Sequence, residues 1–186
     1  MRKYFLITII VFVCMFAILF IIDARKKAFN GKLFDATDVY FSNIQTSIIN
    51  GKAFVPNKPE TESTKVKSYD VIVSKPGDYA IFNFDVLNNT SFDVSLISLL
   101  KKDPKCISLE LPANTKDEIE VCNNLEYTLS YSDSGREVLK NDVLPANSSK
   151  NITLKIGYSK DVNYIPSGDV QVTLYDMNLV YDNLEK

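Results

Sequence analysis

The chain has 186 residues, 46% of them hydrophobic, with 21 Lys+Arg, 23 Asp+Glu and no His, the profile of one folded domain with an appendage. Without imidazole no Ser-His-Asp or Cys-His nucleophile system can be built, and neither can the zinc sites that need His. A formal net charge of −2 supplies no electrostatic reason to bind nucleic acid.

Residues 4–22 read YFLITIIVFVCMFAILFII, nineteen positions without a charge. A helix of that length rises roughly 28 Å, close to the bilayer's apolar thickness of about 30 Å. It also satisfies its own backbone, as lipid requires. Tyr4, Leu6, Ile10, Phe16 and Ile22 are therefore membrane-anchor positions. Arg2 and Lys3 supply a positive n-region, but Ile22-Asp23-Ala24 lacks the small residues of a cleavage site. The expectation is an uncleaved signal-anchor over residues 1–30, ending near Asn30-Gly31, with residues 31–186 as an extracellular domain. Arg25, Lys26 and Lys27 nearly balance the positive charge before the span, so flanking charge leaves the orientation open.

The exterior portion alternates. After a loop at residues 55–65, Phe82, Phe84 and Val86 share one face of residues 79–87, with Asn83 and Asp85 opposite. The same period of two runs through residues 91–96, 125–131, 151–158 and 170–174, with earlier candidates at 39–49 and 66–74. Lys75-Pro76-Gly77-Asp78 suits a type II turn, and Asn88-Asn89 suits a tight hairpin. No amphipathic helix is evident. These features predict an all-β fold: an immunoglobulin-like or jelly-roll antiparallel β-sandwich of about seven or eight strands, preceded by one transmembrane helix.

Cys14 lies in the apolar span. A disulfide between Cys106 and Cys122 would close a loop of about 15 residues and contribute roughly 3 kcal/mol. The alternative is two reduced thiols in a cytosolic domain. The bridge is the expected state, and it places the domain outside the cell.

Other motifs have plain readings. Leu111-Pro112-Ala113-Asn114-Thr115 looks like a sortase signal, but Asn and Thr stand where Thr and Gly belong, so a loop is expected. Asp117, Glu118 and Glu120 offer oxygens, yet lack the spacing of a Ca²⁺ loop and read as a solvated acidic segment. Asn88, Asn89, Asn147 and Asn151 each open an N-x-S/T triplet and read as turn and surface residues. Phe82, Phe84 and Phe92 read as core. Tyr175 and Tyr181, in the last strand, are candidates for an exposed aromatic edge that meets a partner.

Ser74-Lys75-Pro76-Gly77-Asp78 followed by YAIFNFDVLNNTSFDVSLISL resembles a pattern in surface proteins of low-GC Gram-positive bacteria, the camelysin/TasA group among them. NNLEYTLSYSDSG and VLPANSSKNITLKIGY are similar to later hairpins of such proteins, so the likeness spans roughly residues 38–160. It implies an exported sandwich and, in the fibre-forming members, subunits that donate a strand to a neighbour. Camelysin's association with metal-dependent proteolysis does not carry over, because the chain has no His and no HExxH. The functional expectation is a membrane-anchored cell-surface module, structural or protein-binding, with no catalysis and no cofactor. Its expected partners are the lipid bilayer and a surface or matrix protein, with self among the candidates. The alternatives are a secreted fibre subunit after signal cleavage and a carboxylate- or metal-dependent enzyme.

Overall fold

Strand β5 (Tyr79–Asn88) shows how the sequence builds the core: Ala80, Phe82, Phe84 and Val86 are buried, and the residues between them face outward. The computed structural model describes residues 38–184. The chain divides into two units, Met1–Asp35 and Ala36–Lys186, and all described residues belong to the second. The expected membrane span and its anchor positions lie outside them. Among the described residues no helix is long and apolar enough to cross a membrane.

The protein is mostly β, and every sheet is antiparallel. One sheet has the order β1-β5-β10-β8, with β1 at Val39–Asn50, β8 at Leu125–Tyr131 and β10 at Ser148–Tyr158. A second, β4-β11-β7, combines Tyr69–Val73, Val170–Leu174 and Lys105–Ser108. The third, β2-β3-β12-β6-β9, combines Thr61–Glu62, Lys65–Val66, Met177–Asn183, Val94–Leu100 and Val143–Leu144.

The last two sheets are one surface with a break. Only Lys67 and Ser68 separate β3 from β4, and only Tyr175 and Asp176 separate β11 from β12. Asp176 bridges the gap: its Oδ1 accepts bonds from the Ser68 backbone N–H (2.9 Å) and hydroxyl (2.8 Å). These bonds, the hydroxyl's first, hold the Asp176 carboxyl below the usual carboxylate range. Joined across such breaks, and setting aside the two-residue β2 that pairs with β3 on the same surface, the described chain makes eight segments: β1, β3/β4, β5, β6/β7, β8, β9, β10 and β11/β12. Successive segments alternate between the two surfaces.

The core lies between those surfaces. The Tyr69 and Phe82 rings meet edge-on across it, with centroids 5.1 Å apart. Phe41 leans on Phe84 at 4.8 Å within the first sheet. Ile152, Leu154 and Ile156 of β10 on one surface, and Val71, Val172 and Leu179 on the other, are all fully buried. Burying each such side chain contributes about 1.5–3 kcal/mol.

Two turns test the sequence reading. The Lys75–Asp78 turn forms as expected: Gly77 has φ +85° and the Asp78 N–H bonds Lys75 O at 3.1 Å. Asn88-Asn89 is not a hairpin, because β5 and β6 lie on different surfaces. Asn88 is buried at the crossing; its amide donates to Phe92 O and Leu144 O, and its Oδ1 accepts from Thr90. That local network occupies residues 88–92, so β6 begins at Val94 rather than Ser91.

One helix was not expected. α1 runs Thr115–Asn123 inside the cysteine loop, capped by Asn114, whose side chain accepts the Lys116 N–H at 3.1 Å. Asp117 and Glu118 sit in its first turn, where the helix dipole favours negative charge.

Candidate functional site

The structure bonds Cys106 to Cys122, with Sγ atoms 2.00 Å apart and Cα atoms 5.8 Å apart. The bond fastens α1 to β7. Glu118 reinforces it by accepting the Ser108 N–H at 3.0 Å. Asp117 is buried, not solvated as the sequence suggested. It accepts the Tyr164 hydroxyl at 2.5 Å and both the hydroxyl (2.5 Å) and backbone N–H (3.0 Å) of Ser167. Burial pushes the Asp117 carboxyl up, but the bonds from Ser167 and Tyr164 outweigh it and hold the group below the usual range. The same bond, together with burial, pushes Tyr164 up to about 12. Asp117 and Glu118 therefore brace a helix. Among the described residues no group of three or more His, Cys, Asp or Glu is placed to hold a metal.

The remaining sequence candidates are scattered. Leu111 is 96% exposed in the expected loop. Asn89, Asn147 and Asn151 are exposed, whereas Asn88 is not. Phe82 and Phe84 are core and Phe92 is half-buried. Tyr175 stands exposed at the sheet break, and Tyr181 is half-buried on β12, where it pairs with Leu96 of β6 while β3 reaches only Met177 and Asn178.

Sequence reasoning missed the outer face of the first sheet. Three strands and the residue after β8 bring a continuous polar network together there. Asp85 on β5 accepts Asn43 Nδ2 at 3.1 Å on one oxygen and Asn151 Nδ2 at 2.7 Å on the other. Ser132, just past β8, donates to Asn151 Oδ1 and lies 2.7 Å from Thr153 Oγ1. Thr153 donates to Asn83 Oδ1 at 3.1 Å. Asn43 reaches Asp85 because β1 bulges between Ser42 and Gln45, with Asn43 at φ +56°. An open hollow of about 570 Å³ lies on this network, walled by Gln45 and Ser47 of β1.

Further along β5 a second hollow, of about 490 Å³, is lined by Tyr79 and Ile81 and by the ion pair of Lys155 and Glu126. Lys155 Nζ lies 2.6 Å from Glu126 Oε2 and 5.1 Å from the Tyr79 ring centre. The Lys155 bond holds Glu126 below the usual carboxylate range. In the sequence only the alternation of these polar residues was visible, and alternation alone reads as a solvated face.

The two edges of this sheet differ. β8 is closed by the Ser130–Glu137 bridge and by the Val138 N–H bonding Leu129 O at 3.0 Å. β1 is crossed early by Ser63, whose carbonyl takes the Phe41 N–H at 2.8 Å, and its residues 45–50 are all exposed. No protein-family model, no curated protein and no solved structure matches this chain.

Proposed function

We propose that residues 1–30 anchor the chain in the cell membrane and that the β-domain stands outside as a non-catalytic module, structural or protein-binding. The observation that carries this reading is the Cys106–Cys122 bond. Structural disulfides persist in oxidising compartments, and the uncharged residues 4–22 supply both the export route and the anchor. With the amino terminus inside, the bond lies on the oxidising side. Alternation of eight successive segments between two surfaces supports a jelly-roll over an immunoglobulin-like sandwich, which keeps some consecutive strands within one sheet. The likeness to low-GC Gram-positive surface proteins points the same way.

Protease added to intact cells tests the location. The domain should be degraded without lysis, and its two cysteines should resist alkylation until reduced. A domain protected until lysis, with both thiols reactive, overturns the reading.

A second reading, a secreted fibre subunit, draws support from β1. This edge strand has twelve residues without a charge, and uncharged edges are open to pairing with another chain. N-terminal sequencing separates the two: a mature protein beginning at Met1 or Arg2 excludes cleavage, and one beginning after residue 22 favours the fibre.

A further inference from the structure

We propose that the outer face of the β1-β5-β10-β8 sheet is a binding site for a neutral, linear carbohydrate lying along β5. The proposal goes beyond the surface-module reading and does not depend on where the chain resides.

The network is pre-organised. Asn43, Asp85, Asn151, Ser132, Thr153 and Asn83 are linked side chain to side chain across the sheet. Side chain to side chain bonds are the scarce class in folded proteins, about 10–15% of the total, and linked groups hold one another's orientation. Ser132 and Thr153 own one hydroxyl proton each, yet together with their acceptors they make three contacts. The network thus has spare acceptor capacity that an incoming hydroxyl can fill.

Its charge selects the ligand class. The hollow beside Gln45 has no Lys or Arg in its lining, and its one acid, Asp85, has an amide donor on each oxygen. A cation would have to displace both donors, and a phosphate chain would meet a carboxylate and no base. In the second hollow Lys155 pairs with Glu126 and Lys160 is a further base, so with Asp85 the two hollows together hold two acids and two bases. The face as a whole sums to no net charge and is rich in amides and hydroxyls, complementary to a partner that carries many hydroxyls and no net charge.

The second hollow adds the other half of sugar chemistry. A pyranose presents C–H groups on its faces and O–H groups on its rim. Tyr79 and Ile81 give an apolar strip beside polar groups on the same strand. Asp85 and Tyr79 are six residues apart on β5, about 20 Å at strand spacing. That separation suits an oligosaccharide rather than a single sugar. An extended peptide is the competing occupant; it would seek the unpaired backbone of the β1 edge, whereas the polar network and the apolar strip lie over β5 and β10, which are paired on both sides.

The test uses the full-length chain in a detergent without a sugar headgroup. Cellohexaose, mannohexaose and chitohexaose are titrated by calorimetry, with backbone amide shifts followed in parallel. At least one hexasaccharide should bind saturably, with shifts confined to β5, β10 and β1. Gln45→Ala and Asn151→Ala should each weaken it several-fold, and Tyr79→Leu at least ten-fold, with thermal midpoints showing that each variant is folded. Gln45 is exposed on an edge strand, so its variant does not threaten folding. No saturable binding of any of the three overturns the proposal. So does binding that all three variants leave unchanged, or shifts confined to the β1 edge.

Discussion

Gly51 and Asp78 are packed so closely that a Cβ on Gly51 would stand 2.1 Å from Asp78 Oδ1. The Asp78 carboxylate is fully buried and accepts three backbone N–H bonds, from Lys52 at 2.9 Å, Ser74 at 2.8 Å and Lys75 at 3.0 Å. One side chain thus ties the turn after β1 to the turn before β5. Gly51→Ala meets both this contact and a backbone φ of +68°, which alone costs about 1–3 kcal/mol. Asp78→Ala strands three amide donors and should cost about 3 kcal/mol. Urea unfolding measures both. An unchanged midpoint for either variant contradicts the assigned role.

This contact was half legible beforehand. The Pro76-Gly77 pair announces a turn, but nothing in the sequence couples Asp78 to Gly51, since their relation is made by the β1–β5 register. The same limit explains the other misses. β5 and β10 were readable because their apolar residues alternate. α1 was not, because its buried residues are Asp117 and Val121, and a buried carboxylate is invisible to a hydrophobic period. Pairing partners are set by topology, so Asp85 and Asn151 become neighbours only when β5 pairs with β10.

Reducing Cys106–Cys122 should destabilise the domain by roughly 3 kcal/mol, the entropy of a loop with sequence separation 16. The loss should be local first. α1 is held by that bond and by Asp117 and Glu118, so its amides should gain hydrogen exchange before those of β5 and β10. Cys106→Ser with Cys122→Ser reproduces the reduced state without reagent. Uniform exchange gain across both surfaces would show that the bond supports the whole core instead.

Acid should act through Asp117. Its carboxyl titrates below 3.8 in the folded chain, so the stability it contributes is fully present above the unfolded value and is lost as pH falls through the folded one. Asp117→Asn should lower stability at neutral pH and flatten the acid limb below about pH 4. Tyr164 works in the opposite direction: raised to about 12 from 10.0, it contributes stability below 10 that is lost as pH rises through 12. Tyr164→Phe should flatten that alkaline limb. Unfolding midpoints measured from pH 2 to 12 settle both signs.

The Tyr69 and Tyr127 hydroxyls are buried and have no hydrogen-bond partner among the described residues. They belong to opposite surfaces, Tyr69 on β4 and Tyr127 on β8. Burial pushes both phenols up, Tyr127 to about 12, and the neighbouring Tyr127 pushes Tyr69 further. Removing an unsatisfied hydroxyl while keeping the ring deletes a desolvation penalty of about 1–3 kcal/mol and no bond. The Tyr69 ring still meets Phe82 after such a change. Tyr69→Phe and Tyr127→Phe should therefore be neutral or stabilising, and the double variant at least as stable as either. A loss above about 1 kcal/mol in thermal or urea unfolding would mean that the hydroxyls are satisfied in solution, by a buried water bridging the two surfaces.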